Sequence, residues 1–240
     1  MYNVIPNKNL KIKKCKMKCD IKLGDNIPRP LPDESFAMVI NGSAGSGKSN
    51  LISNLLGSKS MYRKVFHHVI VCSPSLNTLQ NNIFKDLDET KKHTKFDETF
   101  LEYVADFTDF QSDKDDPETT LVILDDVANQ LKGNMDLQRR LGHLVMNRRH
   151  RYLSIIITSQ QFRLIPLPVR TNITHAILFR PSNRQEQEAL MEILPVPKAQ
   201  VSNMIDFVYD EKYNFLFVDF SLKHSNKYEF YKNFDYIQLI

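Results

Sequence analysis

Apolar residues cluster along the chain in six short runs: Phe36–Ile40, Val65–Cys72, Leu121–Leu124, Leu153–Thr158, His175–Phe179 and Phe215–Phe220. Each is rich in β-branched or aromatic residues and nearly continuous rather than alternating. That pattern predicts strands of a parallel sheet covered on both faces. Polar, helix-like stretches at 48–57, 97–107, 135–148 and 184–194 separate the runs. In the third of these, Leu137, Leu141, Leu144 and Val145 share one helical face. Arg148 continues that stripe, and its head is expected to escape at the stripe's end. Strands alternating with helices predict an α/β sandwich of three layers around a mainly parallel central sheet, with right-handed crossovers.

Residues 1–34 read differently from residues 35–240, which form the predicted folded domain. Lys8, Lys11, Lys13, Lys14, Lys16, Lys18 and Lys22 precede Pro28, Pro30 and Pro32. This is a basic, solvated lead segment followed by a stiff extended connector; a phosphate-binding arm is the sharper alternative. Between Asp86 and Glu118 acidic residues dominate, and a helical insertion with an exposed loop is expected there.

Composition narrows the class. Hydrophobic residues make up 42% of 240 residues, enough for a sizeable core, which excludes wholesale disorder. A net charge of +4 points only weakly towards nucleic acid. Cys15, Cys19 and Cys72 are an odd set, so a disulfide framework is unexpected and a reducing compartment fits better. No apolar run approaches the roughly 18–20 residues that span a bilayer. No apolar stretch follows the N-terminal lysines, so a secretory signal is excluded and a soluble intracellular protein is expected.

The strongest chemical signal follows the first run. Gly42-Ser43-Ala44-Gly45-Ser46-Gly47-Lys48-Ser49 fits the pattern G-x-x-x-x-G-K-[ST], with an apolar run before it and a plausible helix after it. Such a P-loop curls so that successive N–H groups face phosphate oxygens, aided by the positive end of the helix. Lys48 would reach the β- and γ-phosphates of ATP, and the Ser49 hydroxyl would ligate Mg²⁺.

Leu121–Leu124 ends in Asp125-Asp126. In a P-loop fold an acid at this strand end holds the Mg²⁺ shell, a role for Asp125. A second acid can orient and polarise water, a role for Asp126; both acids could instead cap a helix. The run Leu153–Thr158 leads to Gln160, which could touch the γ-phosphate and the water, although a loop glutamine is ordinarily just solvated.

The order of P-loop, strand-Asp-Asp and strand-Gln resembles the additional-strand branch of P-loop ATPases. The stretch Met146-Asn147-Arg148-Arg149-His150-Arg151, with Ile155-Ile156-Ile157-Thr158-Ser159-Gln160-Gln161 and Leu167-Pro168-Val169-Arg170-Thr171-Asn172, narrows it. It is similar to the genome-packaging ATPases of large DNA viruses and their satellites, within the FtsK/HerA superfamily. The likeness runs from about Phe36 to Phe179.

It implies a homo-oligomeric ring, pentameric or hexameric, that hydrolyses ATP between subunits and drives double-stranded DNA into a preformed capsid. Capsid or portal proteins are implied partners, and the host cytoplasm or the virion the implied location. Lys48, Ser49, Asp125 and Gln160 fall on the P-loop lysine, the Mg²⁺ hydroxyl, the strand acid and the polar sensor. The superfamily commonly has Glu as its second acid, where this chain has Asp126, one methylene shorter.

An interface ATPase also needs an arginine to stabilise transferring charge. Arg148, Arg149 and Arg170 are the candidates, with Arg170, in a short loop after Pro168, ahead of the others. For each, an ordinary surface arginine is the competing reading.

Other residues attract blander readings. Cys15 and Cys19 lack a second pair at zinc-like spacing, His67 and His68 read as packed or edge residues, and Cys72 as a small buried hydrophobe. The aromatic tail, Phe215 to Tyr236, reads as sheet core ahead of a base-stacking platform. Two functions compete with the motor. A P-loop small-molecule or nucleotide kinase shares the loop and strand acid but needs no second acid, so Asp126 and Gln160 favour hydrolysis. A nucleotide-switch module would bind nucleotide with almost no turnover.

Overall fold

The computed structural model describes residues 21–24, 26–76, 84–194, 196–221 and 228–238. Among them, nine strands form one sheet. They are β1 (Ala37–Asn41), β2 (His68–Cys72), β3 (Lys92–His93), β4 (Thr120–Leu124), β5 (Leu153–Ser159), β6 (His175–Phe179), β7 (Phe215–Asp219), β8 (Glu229–Lys232) and β9 (Asp235–Tyr236). Their order is β3-β2-β4-β5-β1-β6-β7-β8-β9. Pairs from β3 to β6 are parallel, and those from β6 to β9 are antiparallel. The additional strand is therefore β5, lying between the loop strand β1 and the acid strand β4.

The helices are α1 (Lys48–Gly57), α2 (Glu98–Ser112), α3 (Ala128–Leu131), α4 (Met135–Met146), α5 (Leu167–Arg170), α6 (Arg184–Ile193) and α7 (Lys198–Val208). Side chains alternate across the strands to fill two cores. Met38 and Ile40 pack with Leu51, Ile52 and Leu55 of α1. Ala37 and Val39 join the other core, with Val104, Leu141, Leu190 and Val201 from α2, α4, α6 and α7. Three layers result, as the continuous apolar runs require.

Three of the helices, α2, α4 and α6, start where a side chain caps them. Asp97, Asn134 and Asn183 accept from the N–H groups of Phe100 (3.0 Å), Leu137 (3.0 Å) and Glu186 (2.9 Å). The acidic stretch is no insertion: α2 is the crossover between β3 and β4, with Phe100, Leu101 and Val104 buried. The run Phe215–Phe220 forms the antiparallel strand β7. Two successive helices, α6 and α7, return the chain to the end of the sheet where β6 finished, so β7 must run back. Its aromatic neighbours follow the core reading at Phe217, Phe230 and Tyr231, whereas Tyr228 and Tyr236 are exposed.

The connector expected at Pro28–Pro32 also differs. Leu31 is 6% exposed within the core that holds Phe36 and Tyr62, and the Tyr62 hydroxyl donates to the Pro32 carbonyl at 3.0 Å. An apolar residue between prolines gains more from burial than from extension, so the segment packs on the domain ahead of residue 35. Lys8 to Lys18, Cys15 and Cys19 lie outside the described residues. Cys72 is buried, and burial pushes its thiol up to about 12, as befits an inert core residue. No described helix is long and apolar enough to cross a membrane.

Leu31→Ala should lower unfolding stability by about 2–5 kcal/mol, read from denaturant titration. A free connector would leave the midpoint unchanged.

Candidate nucleotide site

β1 ends at Asn41, and the loop Gly42–Ser49 turns from it into α1. Gly47 caps that helix at φ 109°, a backbone that side chains rarely adopt. Gly42 is required by space: a Cβ there would lie 2.8 Å from Phe179 Cβ and 2.5 Å from Ser46 Oγ. The first turn of α1 carries no acid, so its positive end is not neutralised locally.

Lys48 is buried, and its ammonium donates to the carbonyls of Gly42 (2.6 Å) and Ser43 (3.1 Å). Burial holds its pKa below the ordinary lysine value, opposed by the negative charges of Asp126 and Asp125. Ser46 Oγ is buried without a partner among the described residues. An orphaned hydroxyl, a desolvated cation and an open helix end together fit a polyphosphate. Ser49 lies at the exposed start of α1.

Three strand ends bring the remaining groups together. Asp125, just past β4, accepts from Ser73 Oγ at 2.9 Å and from Thr158 Oγ1 at 2.8 Å, one hydroxyl to each carboxylate oxygen. The same Thr158 oxygen accepts the Asp126 N–H at 2.9 Å. Asp126 holds a left-handed backbone, φ 52°. Its Oδ2 accepts from the Gln160 amide at 2.9 Å.

The loop carrying Gln160 is itself braced. Ser159 Oγ donates to Gln161 O at 2.8 Å, and Glu186 accepts the Phe162 N–H at 3.0 Å. Gly42 N donates to Ser159 O at 3.0 Å, tying the start of the phosphate loop to the same strand end. Lys48, Asp125, Asp126 and Gln160 thus share one end of the sheet. Among the described residues, no group of three or more His, Cys, Asp or Glu could hold a metal ion by itself. Mg²⁺ needs no such cage, since it keeps waters and substrate phosphates.

Arg148 and Arg149 lie elsewhere. Leu153 N donates to Arg148 O and Thr120 N to Tyr152 O, which places residues 148–152 at the N-terminal ends of β4 and β5. Arg170 ends α5, and Thr174 N donates to Ala37 O at the start of β1. Residues 148–152 are therefore separated from the loop by about the length of a strand, roughly 16 Å for five extended residues, whereas α5 lies between the two ends of the sheet. Arg149 is exposed.

Arg170 is half-buried rather than exposed, its Nε sealed and its guanidinium 6.0 Å from the Phe162 ring centre. The Arg148 head does not escape either. It stays buried, with Nη1 on Val145 O at 3.0 Å, because the chain turns at Asn147 and closes over the stripe. Sequence reasoning missed Ser73 and Thr158. The signal for Thr158 was a polar residue closing the Ile155–Ile157 run, two residues before Gln160.

The loop, the inserted strand and the paired acids define an ATPase of the P-loop class. The chain belongs to the Poxvirus A32 protein family, whose model matches residues 28–237, and is a genome-packaging ATPase. Packaging NTPase B204 from Sulfolobus turreted icosahedral virus 2, in complex with sulfate, is similar over 82% of this chain and 96% of its own, with 17% identity and TM-score 0.60. B204 from Sulfolobus turreted icosahedral virus, a DNA-packaging ATPase, shares 15% identity over 82% of this chain and 97% of its own, with TM-score 0.61. The cytoplasmic domain of the Type VII secretion ATPase EccC from Thermomonospora curvata shares 13% identity over 85% of this chain and 24% of its own, with TM-score 0.56. At these identities the likeness is one of fold. No curated relative matches the sequence.

Thr158→Val should leave the chain folded at a cost of about 1–3 kcal/mol, since Asp125 loses a donor and the Asp126 N–H an acceptor. Turnover should fall about 10–100-fold, with Thr158→Ser close to the parent in a steady-state ATPase assay.

Proposed function

We propose that this chain is one subunit of a ring whose copies hydrolyse ATP and move double-stranded DNA into a preformed capsid. The observation that carries it is the joined set Asp125–Thr158–Asp126–Gln160 at the sheet end where the phosphate loop begins. ATP is the substrate, its polyphosphate held by Gly42 to Ser49, with Ser43, Ala44, Gly45, Ser46 and Gly47 forming the cradle and Lys48 the neutralising charge. Mg²⁺ fits Ser49 and Asp125, whose carboxylate is oriented by two hydroxyls and keeps lone pairs for the ion's water shell. When bound, it would neutralise charge developing on the phosphate oxygens.

Asp126 accepts a proton from the attacking water. The water oxygen bonds to the γ-phosphorus while the bond to the β,γ-bridging oxygen breaks, leaving ADP and phosphate. The Gln160 amide positions Asp126 and makes the strand end sensitive to the γ-phosphate. An acid fastened to a glutamine beside the metal acid favours water over an acceptor alcohol, hence hydrolysis over a kinase reaction.

The arginine comes from a neighbouring copy: Arg149 sits at the far end of its own sheet, and Arg170 is half-buried against Phe162. Exposed Arg149 is the better placed of the two. Duplex DNA, portal and capsid proteins are the remaining partners, and the viral assembly site in the host cytoplasm, or the virion, is the place of action.

Steady-state ATP hydrolysis with and without long duplex DNA tests this. Turnover should rise with DNA and with protein concentration. Asp126→Asn should keep ATP binding yet lose about 10²–10⁴ in rate, and Lys48→Ala should lose binding itself. Turnover indifferent to both DNA and protein concentration would overturn the motor.

A further inference from the structure

The phosphate loop opens into a cleft of about 680 Å³ that none of the acids or the sensor enters. Beyond the loop and the first turns of α1, it is lined by Met61, Phe179, Tyr213, Phe215 and Phe234. Its size is that of a small-molecule site, apolar at one end and anion-binding at the other. The apolar end is built of rings in edge-to-face contact. Phe179 and Phe215 lie 5.6 Å apart between centroids at 62°, and Phe215 and Phe234 lie 5.2 Å apart at 72°.

Asn233 fixes this floor. Its side chain accepts the Phe215 N–H at 3.1 Å and donates to Asn214 Oδ1 at 3.1 Å, pinning the β8–β9 turn that carries Phe234.

Tyr213 differs from the rings beneath it. It is 56% exposed, and its backbone is left-handed at φ 73°. Its ring approaches within 3.5 Å of the position a Gly47 Cβ would take. The Lys212 ammonium lies over the ring, 4.8 Å from its centre. A large aromatic side chain held in solvent on an unfavourable backbone, against a phosphate loop, is the kind of outlier that functional sites retain.

We propose that this cleft holds the nucleobase of ATP, stacked on Tyr213 over the Phe215 and Phe234 floor. The inference rests on the reading of Gly42–Ser49 as the polyphosphate site. Stacking supplies the main contact; Asn54, an amide at the cleft, has one N–H directed to Asn50 O at 2.8 Å. Stacking of this kind tolerates any planar base.

The chain contains no tryptophan, so Tyr213→Trp introduces a single fluorescent reporter at the site. Two probes separate base from phosphates: ATP, and inorganic tripolyphosphate, which has no base. ATP should quench the Tyr213→Trp indole, and tripolyphosphate should bind without quenching. Tyr213→Ala should weaken ATP binding about tenfold or more and leave tripolyphosphate binding near that of the parent, while Tyr213→Phe should retain ATP affinity. Equal quenching by both probes, or parental ATP affinity in Tyr213→Ala, would overturn the proposal. Failure of the parent chain to bind either probe would instead bring down the polyphosphate site, and the base cleft with it.

Discussion

The hydroxyl of Thr158 is the joint on which the site depends. It donates a hydrogen bond to Asp125 and accepts one from the Asp126 N–H, so the end of β5 is tied to both acids that follow β4. A hydrogen bond to an ionised carboxylate is worth about 1.5–3 kcal/mol, more than a neutral pair. Its geometric effect is larger. β5 is paired on its other edge with β1, whose end becomes the phosphate loop, and Gly42 bonds directly to Ser159. Loop, acids and sensor are therefore referenced to one strand end rather than to three independent loops, which is how a site is kept within the tolerance that catalysis needs.

The same sheet bears on the proposal that a neighbouring copy completes the reaction. Parallel strands put every chain reversal of one kind at one end. The phosphate loop, Asp125, Asp126 and Gln160 leave the C-terminal ends, whereas the turn carrying Arg149 feeds the N-terminal end of β5. In the proposed ring, a neighbour's far end meets this chain's near end.

Much of this was legible in the residues. Gly42–Ser49 carries its chemistry in its spacing, and the continuous apolar runs announced a sheet buried on both faces. The α4 stripe from Leu137 to Val145 packs as its periodicity predicts. What failed did so for tertiary reasons. Helical spacing put Arg148 at the end of a stripe but could not show the turn at Asn147 that seals it. Proline spacing read as extension because the pocket awaiting Leu31 is built by Phe36 and Tyr62, residues that become its neighbours only on folding. Ser73 and Thr158 are ordinary hydroxyls, and only the pairing of β2, β4 and β5 puts both on one carboxylate.

The measurement that bears most directly on the account mixes two variants, Lys48→Ala and Arg149→Ala, in an ATPase assay with duplex DNA. The first lacks its own phosphate site and keeps the arginine, and the second has the reverse defect. Each alone should be inactive, and the mixture should recover turnover as intact sites form between unlike neighbours. A mixture no more active than its parts, or an Arg149→Ala chain as fast as the parent, would contradict it.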